Sequence, residues 1–390
     1  MSTPRPYDIV LFGATGFTGG LTARYLARHA PATLRWALAG RDPHRLAEVR
    51  DALAAIDPAW RELPLLPADT ADPESLRRLA ASTRTLISTV GPYVRHGEPV
   101  VAACAGAGTD YLDITGEPEF VDLTYVRHHE RASRTGARLV HACGFDCLPA
   151  DLGVRFTVGR LPEDVPITVD GYLRGRGRPS AGTYRTMLLV LARRRQAAAA
   201  ARARRRAQPA PASRRVRAGA GRPGRSTELG RWVLPLPSLD PAVVRESATA
   251  LDRYGPDFRF RHHLALRLPL LVGAVVGTAG LAVLVRVGPV REWLLRRAGT
   301  GRGPSEQQRA RGWFVFRFVG VGGGRRVVTE VAGGDPGYDE TAKMLAEAAL
   351  CLTLDDDLPA TAGQVTPAAA MGDALTARLV RAGITFRVLS

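Results

Sequence analysis

One short run limits this chain more than anything else in it: residues 8–12 (DIVLF) lead without a break into Gly13-Ala14-Thr15-Gly16-Phe17-Thr18-Gly19. A compact apolar run that ends in glycine reads as a buried parallel strand. Residues 18–29 then read as a helix, with Leu21, Tyr25 and Leu26 on one face. At a strand-to-helix junction of this kind the first helical N–H groups and the positive end of the helix dipole face outward, ready for a diphosphate. Gly13 permits the tight turn, Gly16 lets backbone approach the phosphates, and Gly19 allows close helix–strand contact. Glycine spacing alone is a weak signal; the strand before it and the helix after it supply the context the motif requires.

The alternation continues. Residues 35–39 (RWALA), 63–67, 85–90 (TLISTV), 111–114 and 138–141 read as strands, and 43–55, 73–80 and 98–107 as helices. Strands alternating with helices at this spacing specify a parallel, doubly wound sheet, a Rossmann-type fold. The pattern stops near Asp151, which places a dinucleotide-binding domain over 1–150 and a second domain over 151–390. In the second, residues 167–173 alternate like a half-exposed strand and 181–208 read as a long Ala/Arg-rich helix. Residues 209–226 read as a Pro/Gly/Ala/Arg linker without fixed structure, the core of a poorly ordered Arg-rich segment near 195–228. Residues 313–319 (WFVFRFV) alternate, and 325–331 pair with them across a glycine-rich turn, so the expected class is α+β with an antiparallel sheet. Helices over 341–352 and 372–382 are candidates to return to the first domain.

The end of the second strand selects the cofactor. Where an enzyme using NAD would carry an acidic residue for the ribose hydroxyls, the chain has Arg41, a permanently charged bidentate partner for a 2′-phosphate. The reading is NADP, with Arg45 nearby to assist and Asp42 positioned to blunt the preference. Asp69, after the third strand, either meets the adenine end or makes a surface turn. Gly91 and Pro92 follow the fourth strand, where open α/β sheets bind ligands, and should lie against the nicotinamide ribose.

Composition matters at three points. At 390 residues the chain exceeds one core of common size. The cysteines, Cys104, Cys143, Cys147 and Cys351, are few and scattered, which argues for a reducing compartment and against a metal site. With no signal-peptide layout at the start, a cytoplasmic location is expected, with membrane association an open addition. The net charge of +17 suggests nucleic acid until it is located: positions 171–227 hold sixteen arginines and no Asp, Glu or Lys, so the rest is almost neutral. Lys343 is the only lysine, a bias that reads as codon usage more than selection for phosphate contacts, and no nucleic acid is expected. A solvated basic surface and a dedicated anionic-partner surface both remain open. Residues 268–285 (LPLLVGAVVGTAGLAVLV) carry no charge and read as a buried helix, a membrane-dipping segment or a span.

At these residues the chain resembles the saccharopine-dehydrogenase-like oxidoreductases, in particular the trans-acting enoyl reductases. The resemblance lies in GATGFTG at 13–19, LAGR at 38–41, GPYVRHGEPVVAAC at 91–104, GTDYLDITGE at 108–117 and GFDCLPADLG at 144–153. It continues in DPGYDETAKMLAEAALCL at 335–352 and TPAAAMGDALTARLVRAGITF at 366–386, and is poor over roughly 190–310. The resemblance implies an NADPH-dependent reduction of an enoyl thioester of polyketide or lipid type. Imine or carbonyl reduction and a non-catalytic, membrane-associated NADP-binding role are the alternatives. Where that family often has serine in its GFDS-P-like turn, this chain has Cys147. The partners expected are a small-molecule or acyl-thioester substrate, with a polyketide synthase or acyl carrier, a peripheral membrane contact and a homodimer as further candidates.

Enoyl reduction needs an oxyanion donor and a positioned acid. Tyr93 is the first candidate, with packing over the cofactor as its other reading; His96 is the second. Asp146 falls on the same rim, as do Glu117 and Asp113, the last of which has turn or helix capping as its other reading. Ser180 and Thr183 open the long helix and are candidates to bond a substrate carbonyl, or to cap that helix.

Overall fold

The computed structural model describes residues 5–177, 181–208, 214–236, 238–266, 288–297 and 303–390, with single positions 273, 277, 280 and 284. The chain divides into two compact units, Met1–Phe145 with Tyr338–Ala382, and Asp146–Gly337 with Gly383–Ser390.

The first unit is built on a parallel sheet of seven strands. They are β1 (Tyr7–Phe12), β2 (Trp36–Gly40), β3 (Leu65–Pro67), β4 (Thr83–Ser88), β5 (Asp110–Asp113), β6 (Arg138–Val140) and, from far down the chain, β14 (Gly363–Val365). Their order is β14-β6-β5-β4-β1-β2-β3. Every pairing is parallel, with Leu11 beside Leu38 on one side and Ile87 on the other. Ile9, Val10 and Leu11 are wholly buried, as a strand covered on both faces demands. Burying each contributes about 1.5–3 kcal/mol relative to exposure. Helices α1 (Phe17–His29), α2 (Pro43–Ala54) and α3 (Pro73–Ala81) alternate with the strands as the periodicity predicts. The later helices are α4 (Tyr93–His96), α5 (Glu98–Ala107) and α6 (Pro118–Thr135). α3, α5 and α6 pack side by side, and α1 packs against the helix Asp339–Leu354. That helix is buried along almost its whole length, and Tyr25 of α1 donates a hydrogen bond to its Glu347 at 2.8 Å. The order in which successive strands are added reverses between β1 and β4, the switch point at which doubly wound sheets bind ligands.

The second unit carries a sheet in the order β15-β13-β12-β7-β11-β10-β9, with β8 also paired to β11. Its strands are β7 (Ile167–Arg176), β8 (Arg215–Ala220), β9 (Gly224–Ser226), β10 (Arg231–Pro235), β11 (Asp257–Leu266), β12 (Trp313–Gly322), β13 (Arg325–Gly333) and β15 (Thr385–Val388). The hairpin of β12 and β13 forms as expected, closed by Gly323 and Gly324 at positive φ. The sheet is mixed, however: β7 and β8 both run parallel to β11. A second correction concerns the presumed linker. β8 and β9 fall within it, and residues Arg194–Ala207 are helical, so much of the segment near 195–228 is ordered. Its Arg-Val-Arg-Ala alternation is a strand pattern that glycine and alanine content disguised. On the sheet's inner face Phe258, Phe260, Phe314, Phe316 and Phe318 are buried together with the helix α7 (Leu148–Val158). The uncharged stretch 268–285 lies outside the described residues apart from four positions. Among the described residues no helix is long and apolar enough to cross a membrane.

Candidate functional site

The turn after β1 is a tight construction. Gly13 sits at φ +93°, its N–H donates to Ala39 O at 2.9 Å, and its carbonyl accepts from Gly16 N–H at 3.0 Å. A methyl group on Gly19 would stand 2.2 Å from Gly13 O, and one on Gly13 would stand 2.7 Å from Thr89 Oγ1. No side chain larger than hydrogen fits either place. Thr89, just past β4, stitches the two strand ends: its N–H donates to Phe12 O at 2.9 Å and its hydroxyl to Gly13 O at 3.1 Å. The sequence marked Thr89 only as a strand end; its bond across the switch point depends on β4 lying beside β1.

Two neighbouring helix starts differ in a way that bears on ligand binding. Asp42 caps α2, its carboxylate accepting from the His44 and Arg45 N–H groups at 3.0 and 3.2 Å. Asp72 caps α3 likewise. α1 has Gly16 at its cap, no side-chain cap bond and no acid in its first turn. Its dipole end and first amides are thus presented at an exposed, glycine-lined turn, which fits a dinucleotide diphosphate. Ala14 is buried, Thr15 and Thr18 are half-buried, and Gly16 and Phe17 are exposed. Phe17 stands edge-on to Tyr338, ring centroids 4.8 Å apart.

Arg41 follows β2 and is exposed; among the described residues it forms no ion pair. Asp42, a candidate to oppose it, has its carboxylate committed to the α2 cap. Arg45 reaches back to Thr15 O at 3.2 Å, which places its guanidinium beside the turn. Asp69 is half-buried and its carboxylate accepts from Ala71 N–H at 3.0 Å, an Asx turn.

Beyond β4, Gly91 is exposed and Pro92 half-buried, joined by a cis peptide bond. Tyr93 is buried, and its hydroxyl donates to Ser88 O at 3.0 Å and accepts from Ile114 N–H at 3.4 Å. Burial, reinforced by Asp113, holds its phenol well above the ordinary tyrosine range. The backbone N–H groups of Tyr93 and Val94 both donate to the buried Glu117 carboxylate, at 3.0 and 2.8 Å. Glu117 therefore does the capping for α4 that no local residue does. His96 closes the same turn, half-buried. Asp113 is also structural: its carboxylate bonds His141 Nδ1 at 2.7 Å and accepts from the N–H groups of Thr115 and Ala142. That last bond holds Ala142 at φ 59°, a conformation costly for a residue with a Cβ. Asp146 opens the second unit and is exposed; Cys147 is buried at the cap position of α7 and gives it no side-chain bond. Ser180, and the side chain of Thr183, lie outside the described residues. Among the described residues no group of His, Cys, Asp or Glu is arranged to hold a metal ion.

Comparison with known proteins identifies the architecture. Residues 9–140 match the saccharopine dehydrogenase NADP binding domain. A chain of Mycobacterium tuberculosis is 39% identical over 417 residues, covering 99% of this chain and 98% of its own, and carries the name trans-acting enoyl reductase as a provisional assignment. A Mycobacterium bovis protein named trans-acting enoyl reductase is 38% identical over 413 residues, covering 97% of each chain. The fold matches apo saccharopine dehydrogenase (L-Glu forming) of Saccharomyces cerevisiae with a TM-score of 0.59, at 13% identity, over 98% of this chain and 100% of that one. An NADP-binding domain of saccharopine dehydrogenase type, on a chain this similar end to end to those mycobacterial proteins, makes it a member of the trans-acting enoyl reductase family.

Proposed function

We propose that this protein reduces the C=C bond of an α,β-unsaturated thioester, on a lipid- or polyketide-like chain delivered by a separate carrier, with NADPH as reductant. The observation that carries the reading is end-to-end similarity to named enoyl reductases in a chain whose first helix opens on an uncapped glycine turn. Bound NADPH supplies the hydride, which goes to the β-carbon; a proton at the α-carbon completes the CH–CH product. In this reading the turn 13–19 holds the diphosphate and Arg41, assisted by Arg45, holds the 2′-phosphate. Gly91 and Pro92 shape the backbone beside the nicotinamide ribose, and Asp69 supports the adenine end through its turn. Tyr93 is assigned a positioning role, because its hydroxyl is bonded within the protein and its phenol is held far from release. The proton source is then His96, with Asp146 as the second candidate, and Ser180 and Thr183 are assigned to the substrate carbonyl.

The test follows NADPH absorbance in the presence of crotonyl-N-acetylcysteamine. The reading expects oxidation of NADPH with appearance of the butyryl thioester, and no turnover of a cyclic imine or a ketone. Turnover of the imine with none of the thioester would replace this reading by an imine reductase.

A further inference from the structure

The first half of β11 alternates: Phe258, Phe260 and His262 are buried, while Arg259 and Arg261 point to the opposite, open face of the sheet. Parallel pairing puts Arg217 of β8 directly beside Arg259. The segment from Gly219 to Ser226 then curls along this edge, bringing Arg222 and Arg225 to the same place and enclosing a groove of about 560 Å³. Five arginines line it and one acid, Asp170. Asp170 is spent on Arg261 at 2.5 Å, and Arg217 is held by Asp257 at 2.6 Å. Arg222, Arg225 and Arg259 are exposed and, among the described residues, have neither an ion pair nor a side-chain hydrogen bond. Like charges on neighbouring strands cost stability, and folding alone gives no reason to keep three of them unneutralised around one concavity.

The floor is shaped as well. Tyr172 and His263 stack at 5.0 Å between ring centroids, and Gly221 lies so close to His263 that a Cβ there would stand 1.8 Å from Nε2. His263 is 6% exposed. Burial holds this imidazole below its ordinary pKa, so the positive charge here is arginine.

We propose that this groove is the docking site for an acidic protein surface, that of the carrier presenting the thioester. The proposal rests on the enoyl reductase reading above and adds to it the place where the carrier binds. Three spare guanidiniums favour an acidic partner over a second copy of this chain, whose own basic groove would be repelled. A recessed groove favours side chains that project into it over a flat lipid headgroup layer. Charges at such a rim act chiefly on association rate and on salt dependence.

The experiment compares wild type with the triple variant Arg222→Glu, Arg225→Glu, Arg259→Glu. Two substrates are used, a bacterial acyl carrier protein loaded with crotonyl-phosphopantetheine and crotonyl-N-acetylcysteamine. The expected result is a KM for the carrier-bound substrate raised tenfold or more, with its salt dependence flattened. kcat, and both parameters for the small thioester, stay unchanged. The charge-neutral triple Arg→Gln variant, checked for retained NADPH binding, should show a smaller rise in the same direction. An unchanged KM for the carrier in both variants overturns the proposal. So does wild-type binding to phosphatidylserine vesicles that the charge reversal abolishes while carrier turnover persists. Failure of the wild type on both thioesters is a different result: it removes the enoyl reductase reading itself.

Discussion

The two units use their polar groups in opposite ways. In the first, charged side chains are consumed by the scaffold: Asp8 binds Arg35, Asp110 binds Arg138, Asp355 binds Arg378, and Glu117 and Asp113 hold backbone amides. What is left open at the switch point is chiefly main chain, the uncapped start of α1, with Arg41 past the end of β2 as a side-chain charge without an ion pair among the described residues. In the second unit the strands carry arginines in excess of their acids, and what is left open is side-chain charge. A backbone site depends on glycine and therefore leaves a mark in the sequence. A side-chain surface depends on which strands lie side by side, and that is written nowhere locally.

Three substitutions test this contrast, taken from the largest expected effect to the smallest. Gly19→Val would drive a branched side chain into Gly13 O and Thr89, so the turn cannot keep its shape. Affinity for NADPH should fall at least 100-fold, about 3 kcal/mol, in a calorimetric titration, while circular dichroism shows helix and sheet retained. Near-normal binding would mean that the turn does not hold the cofactor. Glu117→Ala leaves the Tyr93 and Val94 amides without their buried acceptor, at a cost of about 2 kcal/mol. The melting temperature should drop by several degrees; a change within error would show that water replaces the carboxylate.

The third concerns the second unit's interior. Asp240, the first residue of the helix Asp240–Ala250, is 4% exposed, and burial raises its pKa to about 8. Its neighbour His262 is pushed down to about 3, again by burial, so the pair is held neutral. A carboxyl whose folded pKa lies above its unfolded value binds an extra proton when folded. Its contribution to stability is complete below about pH 4 and is lost as pH rises toward 8. Asp240→Asn removes that loss, so between pH 6 and 8 the variant should gain on wild type by roughly 1 kcal/mol per pH unit. Parallel stability curves for the two proteins would contradict a protonated Asp240.

How much was legible follows the same division. Strands β1, β2, β4 and β5 and helices α1 to α3 could be read because each carries its own period and is joined to the next by a short loop. β14 could not: three residues, Gly363–Val365, have no period, and they become a strand only because β6 offers an edge. β11 alternates only as far as His262, where two consecutive histidines break the period, and it runs toward an uncharged stretch that masks its end. In the site, the glycine turn and Arg41 were visible as residue types. The commitment of Tyr93 to Ser88 and Ile114, and of Asp42 to its own helix, were not, since each requires a partner whose position only the fold supplies.

Amides at the start of α1 and the guanidinium of Arg41 are expected to select NADPH together. This selection is tested most directly by titrating wild type and Arg41→Ala with NADPH and with NADH. Wild type should prefer NADPH by about tenfold or more, a charge-assisted contact of roughly 1.5–3 kcal/mol, and the substitution should remove the preference while leaving NADH affinity unchanged. Equal affinities for the two nucleotides in wild type, or an unchanged preference in the variant, would contradict it.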